Sequence, residues 1–460
     1  MDEPTQQPGT HLTPDPVESA AADARRGGFA RRAARALAVD FTPLRASRDF
    51  RLLYVGQAVT FFGSMMTFVV LPWQMYRLTG SPLAVGMLGV AEFVPIFVMA
   101  FVGGALADAV DRRLMVRLTE ALLALGTVVL IANSLLERPR AWVLFACAAL
   151  FAALNGLQRP SLEALIPRVV GPEMLPAALA LRTLSNTIGM IGGPALGGLL
   201  VETTGPAATY TIDLVSFLGS LVALWMMRAM PPPPDADRPS LRSVVEGLRY
   251  AWGRKELLGT YLIDINAMFF GMPMALFPAV AERMGGGSSV GLLYAAPAAG
   301  AFLATLTSGW TRRVNRHGAA VALAAAVWGL AIVCFGFSTT LWPALFFLAL
   351  AGGADMVSGL FRSIIWNQTI PDHLRGRLAG IEMVSYTTGP LLGNAESGIV
   401  AGFFGVRASI VSGGVLCVAG TALLSLLLPS FIRYDGRAGL ARKRAEEEAR
   451  AAGASNDGGE

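Results

Sequence analysis

The sequence has little charge, little histidine and little cysteine, and each shortage removes a class of function. Charged residues make up only 15% of the 460, against roughly 25% in soluble domains. The three histidines (His11, His317, His373) and three cysteines (Cys147, Cys334, Cys417) form no C-x-x-C or H-E-x-x-H spacing, so neither a metal nor another cofactor is expected. Each cysteine stands alone in an apolar stretch and reads as a small packing residue. No G-x-x-x-x-G-K-[ST] phosphate loop occurs, which argues against ATP as a direct energy source. The first fifty residues lack an early apolar core, so no cleaved signal peptide is expected. The net charge of +5 is spread along the chain rather than gathered into a patch, which leaves nucleic acid without a footprint. An enzyme is not expected.

What the sequence does have is apolar residues, 54% of the total, gathered into stretches of about 20 or more. A hydrocarbon layer of ~30 Å asks for that length of a helix rising 1.5 Å per residue. Twelve spans are legible, at roughly 52–76, 83–107, 114–136, 141–165, 178–202, 207–229, 256–281, 288–309, 318–338, 341–366, 378–404 and 406–431. The expected class is therefore an all-α integral membrane protein with the lipid bilayer as its first partner. An even number of spans puts both termini on one side. With these spans one face receives only Arg77, Arg138, Arg140, Arg283 and Arg407 of the 37 basic residues. The other carries Arg112, Arg113 and Arg117, then Arg312, Arg313 and Arg316, then Arg375 and Arg377, and both tails. By the positive-inside rule that face is cytoplasmic, and the cell (inner, plasma) membrane is the expected location.

The middle of the chain divides it. Pro231 to Pro234, followed by Asp235, Asp237 and Arg238, cannot cross a membrane and reads as a linker. Leu241, Val244, Val245, Leu248 and Trp252 then recur at helical spacing among charges, which predicts an amphipathic helix on the membrane surface or a plain spacer helix. The expected divisions are a tail over 1–50, a six-helix bundle over 51–229, the linker over 230–255, a second bundle over 256–431 and a tail over 432–460. A repeat supports the split. Gly156-Leu157-Gln158-Arg159 matches Gly359-Leu360-Phe361-Arg362, Ile166-Pro167 matches Ile370-Pro371, and Gly193-Pro194-Ala195-Leu196-Gly197 matches Gly389-Pro390-Leu391-Leu392-Gly393. Three matches in one order predict two pseudo-symmetric six-helix bundles with a site between them.

Two motifs carry a more specific message. Gly104-Ala105-Leu106-Ala107-Asp108-Ala109-Val110-Asp111-Arg112-Arg113 follows the second span. A carboxylate at a helix end beside a tight basic turn can latch helices together by charge-assisted hydrogen bonds; a loop that only sets topology is the other reading. This stretch resembles the signature between helices two and three of the major facilitator superfamily, with Gly104, Asp108, Arg112 and Arg113 in place and Ala109 and Asp111 departing from it. The fifth span holds Gly189-Met190-Ile191-Gly192-Gly193-Pro194-Ala195-Leu196-Gly197-Gly198. Glycines at this spacing permit close backbone approach, and the proline bends the helix. The stretch is similar to the motif of proton-coupled exporters in that superfamily, through Gly189, Gly193, Pro194, Gly197 and Gly198. The tetraproline linker, Ser240 to Ser243, Gly291 to Ala296, Thr307-Ser308-Gly309 and Pro371 to Arg377 further resemble the enterobactin (siderophore) exporter family over most of residues 48–432. The superfamily's fourth-helix arginine motif is absent, with Ala152 and Asn155-Gly156 in its place.

The resemblance implies a major facilitator fold and a secondary active exporter of a small molecule, siderophore-like or drug-like. It would work by alternating access and exchange its cargo for protons. A multidrug efflux pump for hydrophobic or cationic compounds is the nearest alternative, and a non-transporting receptor or scaffold is the alternative of another class. Charges deep in a membrane cost on the order of 3 kcal/mol or more and are functional or paired. Glu92 lies near the middle of the second span with no basic residue within a turn, which suits either a proton carrier or a carboxyl bonded to a neighbouring helix. Asp264 is the second candidate, followed by Asp213, Asp355, Arg362 and Glu396. Asp355 and Arg362 share a helix face. Arg159 and Glu163 read as an ordinary i, i+4 pair, and Glu120 and Glu382 as interface groups. Phe61, Phe62, Trp73, Phe269, Phe270 and Tyr294 suit either stacking on an aromatic cargo such as a catecholate or plain packing.

Overall fold

The computed structural model describes residues 40–109, 111–228, 252–370 and 375–437, together with 439–441, 443, 445 and 448, and side chains outside 100–110 and 371–387. The linker, the expected amphipathic helix apart from Trp252, and residues 1–39 and 451–460 of the tails lie outside the described residues. Twelve long helices or helix pairs follow one another: α1 (Arg48–Thr79), α2 (Pro82–Ala109), α3 (Arg112–Ser134), α4 (Ala141–Val170), α5 (Leu175–Thr203), α6 (Pro206–Met226), α7 (Lys255–Phe270, continued by Phe277–Arg283), α8 (Gly287–Leu306), α9 (His317–Phe337), α10 (Leu341–Thr369), α11 (Arg375–Phe404) and α12 (Val406–Leu427). Eleven of them have the length and hydropathy a bilayer crossing needs, and α11 is the twelfth, 30 residues from end to end. The face where α1 begins is called the tail face below, and the opposite one the far face.

Helix ends follow local chemistry. Ser47 Oγ accepts from the Phe50 N–H at 3.1 Å and donates to Val169 O at 2.8 Å, starting α1 against the end of α4. Asp111 caps α3, its carboxylate accepting from the N–H groups of Arg113 and Leu114 at 2.8 and 3.2 Å. The α5–α6 and α11–α12 turns pivot on Gly205 (φ 84) and Gly405 (φ 89), a left-handed conformation that a side chain would strain. These two glycines occupy equivalent places in the two halves.

The halves match pair by pair. α1 packs on α5 and α6, α2 on α4, and α3 on α4 and α6; in the second half α7 packs on α11 and α12, α8 on α10, and α9 on α10 and α12. Two seams join the halves, α5 against α8 and α2 against α11, and the same pseudo-symmetry relates one seam to the other. The cores show where the halves meet. One cluster runs through both halves toward the far face, with Val69, Trp73, Leu130, Tyr210, Tyr294 and Phe335 among its members. Toward the tail face each half has its own, around Phe50, Leu165 and Leu181 in the first and around Ile263, Phe361 and Ile365 in the second. The halves are therefore zipped at the far face and separately packed at the tail face.

The span expected as continuous over 256–281 is broken. After Phe270 the chain leaves the helix, passes through a 3-10 turn at Met274–Leu276 and resumes at Phe277–Arg283. Backbone groups freed inside a membrane must be satisfied by neighbouring helices. Trp328 Nε1 donates to Gly271 O at 2.8 Å, Tyr294 Oη donates to Met274 O at 2.9 Å, and Asn394 Oδ1 accepts from the Ala275 N–H at 3.0 Å. The helices α9, α8 and α11 thus each hold one group of the break.

Beyond α12 the chain folds back as a strap over the tail face of the second half. A short helix, Pro429–Ile432, sets Phe431 fully buried beside Ile263 and Phe361. Tyr434 Oη shares a hydrogen bond with Thr369 Oγ1 at 3.1 Å, and Asp435 forms a β-bridge with Arg316. Truncating a buried phenylalanine to alanine costs about 3–5 kcal/mol. Phe431→Ala is expected to lower the melting temperature in detergent, and an unchanged melting temperature would show that the strap adds no stability.

Candidate transport cavity

A cavity of about 700 Å³ is lined mostly by the first half, with Met274, Ala275, Tyr294, Leu391 and Asn394 contributed by the second. It runs from Phe50 and Tyr54 at the tail face to Tyr294, Leu391 and Asn394 near the far seams. Its wall is aromatic at Phe61, Phe68, Phe151 and Phe217, and carboxylic at Glu92, Glu120 and Asp213. Arg159 and Arg182 stand in the wall at the tail side. They share one carboxylate, Glu163, at 3.3 and 3.9 Å, so the expected Arg159–Glu163 pair is a trio reaching to α5. Of the aromatics named from sequence, Phe61 and Tyr294 line the cavity; Phe62 packs over Gly192 and Trp73 belongs to the far core.

The Gly-Pro motif and its pseudo-symmetric counterpart pack helices against one another outside the cavity lining. Gly189, Gly193 and Gly197 turn toward α1, where added Cβ atoms would meet Phe61, Phe62 O, Met65 and Met66. Gly198 turns the other way, to α8: a Cβ there would lie 2.6 Å from Gly291 Cα and 2.7 Å from Gly287 O. Pro194 O faces Gly291 on the same seam. The motif therefore joins α5 to its own half on one side and to the opposite half on the other. On α11, Gly389 and Gly393 pack on Met268 of α7 as Gly193 and Gly197 pack on α1. At the second seam a Cβ on Gly86 would lie 2.8 Å from Gly398 Cα. Glu202, at the end of α5, accepts from the Gly287 N–H across the first seam, and Arg77 pairs with Glu282 across the halves at 3.4 Å.

The buried charges sort into paired and lone groups. Asp213 accepts from Thr67 Oγ1 at 2.6 Å and from Ser216 Oγ at 3.3 Å, which ties α6 to α1. Arg362 pairs with Asp264 of α7, both almost wholly buried, and stands 3.7 Å from Asp355, whose side chain is 41% exposed. Asp264 is thus a partner of Arg362 rather than an isolated acid. Glu396 is half-buried on α11 and does not line the cavity. Glu92 lines the cavity at mid-depth, close to Tyr294. Glu120, expected at the interface, is instead fully buried: Gln57 Nε2 donates to its Oε1 at 2.5 Å, and its Oε2 has no partner. Its distance from the helix start hid this, because a residue ~12 Å along a helix is interfacial only if that helix face meets lipid.

The basic turn after α2 works within the first half. Arg112 donates to Ala164 O of α4 at 3.4 Å and Arg113 to Met227 O beyond α6. Gly104 and Asp108 lie in the last turns of α2, and their side chains are outside the described residues. Sequence reasoning missed Arg182, Gln57 and Asn394, which were single polar residues in apolar spans, and gave Asp111 no part in the cap that it makes.

Twelve helices in two matched halves around a midplane cavity define a transporter architecture, and the sequence profile of the transmembrane secretion effectors, a family of the major facilitator type, matches residues 38–448. The chain belongs to this family. It is a multi-pass membrane transporter and not an enzyme. Among curated relatives it is 28% identical over 387 residues to the enterobactin exporter EntS of Shigella boydii serotype 18 and of Escherichia coli O81, covering 84% of this chain and 93% of each relative. The fold also matches solved transporters of low sequence identity. A POT family transporter in complex with 5-aminolevulinic acid gives a TM-score of 0.67 at 12% identity, over 84% of this chain and 97% of its own. A bacterial homologue of the human lysosomal transporter Spinster, in an inward-facing and unoccupied conformation, gives 0.66 at 16%, over 84% and 98%.

Proposed function

We propose that this transmembrane secretion effector exports a small, enterobactin-like molecule across the inner membrane by alternating access, in exchange for protons moving inward. The observation that supports the reading is the cavity, which reaches Phe50, Arg159 and Arg182 on the arginine-rich tail side, while glycine seams hold the halves together at the far face. The positive-inside rule makes the tail face cytoplasmic, so cargo would enter from the cytoplasm and leave once the seams part and the tail-face cores meet. The two bundles, divided near residues 230–255, are the rocking bodies. Phe61, Phe68 and Tyr294 offer ring faces to an aromatic cargo, and Arg159 and Arg182 offer charge at the mouth to its acidic groups. Glu92, inside the cavity and without a basic partner among the described residues, is the proton-exchanging carboxyl.

The test is cargo accumulation in inside-out vesicles driven by a proton gradient. Glu92→Gln is expected to cut gradient-driven uptake at least tenfold while expression stays normal; uptake at the parent rate would remove Glu92 from the mechanism. The Glu92 carboxyl in the wall also favours a second reading, efflux of cationic drugs. Catecholate siderophores and cationic dyes compared in the same vesicles separate the two, since a drug pump would accumulate the dyes. A folded protein that moves neither would point to a receptor or scaffold.

A further inference from the structure

We infer that Glu120, held by Gln57, is a second proton-binding carboxyl, set in the cavity wall on the tail side. Its burial is the first argument. Glu120 is 0% exposed, so no cargo atom reaches it directly, whereas a proton needs only a hydrogen bond. The second is its unfilled valence: Oε1 accepts from Gln57 and Oε2 has no partner. A buried oxygen left so is costly, and protonation removes the cost by turning that oxygen into a donor. The third is chemical complementarity, since Gln57 carries both a carbonyl and an amino group, and Ser220 Oγ lies 3.4 Å from Gln57 Nε2. An ionised Glu120 accepts from the Gln57 amino group; a protonated one donates to Gln57 Oε1 or Ser220 Oγ after a rotation of the amide.

Charged groups on the surrounding elements do not neutralise it. The neighbouring helices carry Asp49 and Arg51 on α1, Arg159 and Glu163 on α4 and Asp213 on α6, with Arg117 on its own helix, and no ion pair with Glu120 occurs among the described residues. Arg117 instead lies over the Trp225 ring at 4.4 Å. Nor is a metal the better occupant, because no cluster of three ligating side chains occurs among the described residues. Glu120 lies ~12 Å along α3 from the tail face, and Glu92 lies deeper. A proton taken up at Glu92 would therefore pass to Glu120 and leave toward the cytoplasm, Gln57 and Glu120 both standing in the cavity wall. That role in transport rests on the proton-exchange reading above, whereas the protonation itself does not.

The experiment is an infrared difference spectrum of the purified full-length protein between alkaline and acid pH, read at the C=O stretch of protonated carboxyls. Part of that band is expected to vanish in Glu120→Gln and to shift in Gln57→Leu, which removes the hydrogen bond but keeps the acid. A spectrum unchanged in both variants overturns the inference. Should Glu120→Gln fail to fold, an unshifted band in Gln57→Leu overturns it alone. Protonophore sensitivity of vesicle uptake is measured alongside. Insensitive uptake with the Glu120 band present sinks proton exchange and leaves the site standing; sensitive uptake with no Glu120 band sinks the site and leaves proton exchange.

Discussion

Gly198→Val is expected to abolish transport without unfolding the protein. The substitution places a branched side chain where the backbone of α8 sits, with Gly291 Cα 2.6 Å from the first added carbon. Neither backbone can yield locally, because Pro194 O and Gly287 O press on the same seam. Overpacking of this kind costs about 1–3 kcal/mol, and in the proposed alternating-access cycle the cost falls only on the state whose far face is closed. A differential penalty of that size shifts a two-state equilibrium by roughly 5- to 150-fold. The variant should therefore rest with its far face open, and a cysteine introduced at Phe68 should become reactive to a membrane-impermeant thiol reagent from that side. Gly219→Ala, whose added carbon would meet nothing within 4 Å, is the control expected to transport normally. Parent-level transport by Gly198→Val, with no change in labelling, would show that the seam does not close the pathway.

Arg362→Ala is expected to be the most destabilising single charge removal in the second half. Arg362 and Asp264 are both nearly inaccessible, at 10% and 6% of their side-chain surface. Removing one partner of a buried pair leaves the other charged and unsolvated, which costs about 3–5 kcal/mol. Asp355 adds little, since it is far more exposed and 3.7 Å away, and exposed pairs are worth under about 1 kcal/mol. The cost thus belongs to the stranded Asp264 carboxylate. The double variant Arg362→Met with Asp264→Asn should recover most of the lost melting temperature, because the uncompensated charge is then gone. An Arg362→Ala protein as stable as its parent would mean that Asp264 is neutral or solvated there.

Much of the architecture was legible because the membrane imposes one-dimensional rules. Span length, basic loops and the Gly-Pro repeat are properties of a chain read in order. Gly193 and Gly389, matched by letters alone, pack on equivalent helices of the two halves. The breaks in legibility also have causes. The interruption of α7 after Phe270 was hidden because a broken helix keeps an apolar composition, its freed backbone groups being held by Trp328, Tyr294 and Asn394 from other helices. Glu120 was misplaced because depth along a helix says nothing of which side faces lipid. The pairing of Asp264 was not legible because Arg362 lies 98 positions away and reaches it only across the bundle.

By itself the sequence determined that this protein spans a membrane, that it does so with twelve helices in two related halves, and that a glycine face lies on the fifth. These follow from hydrophobicity and spacing, which are local. The tertiary structure decided which acids are saturated, which is paired with an arginine and which retains a free oxygen, and at which face the halves are zipped. Those outcomes depend on side chains brought together from helices distant in the chain.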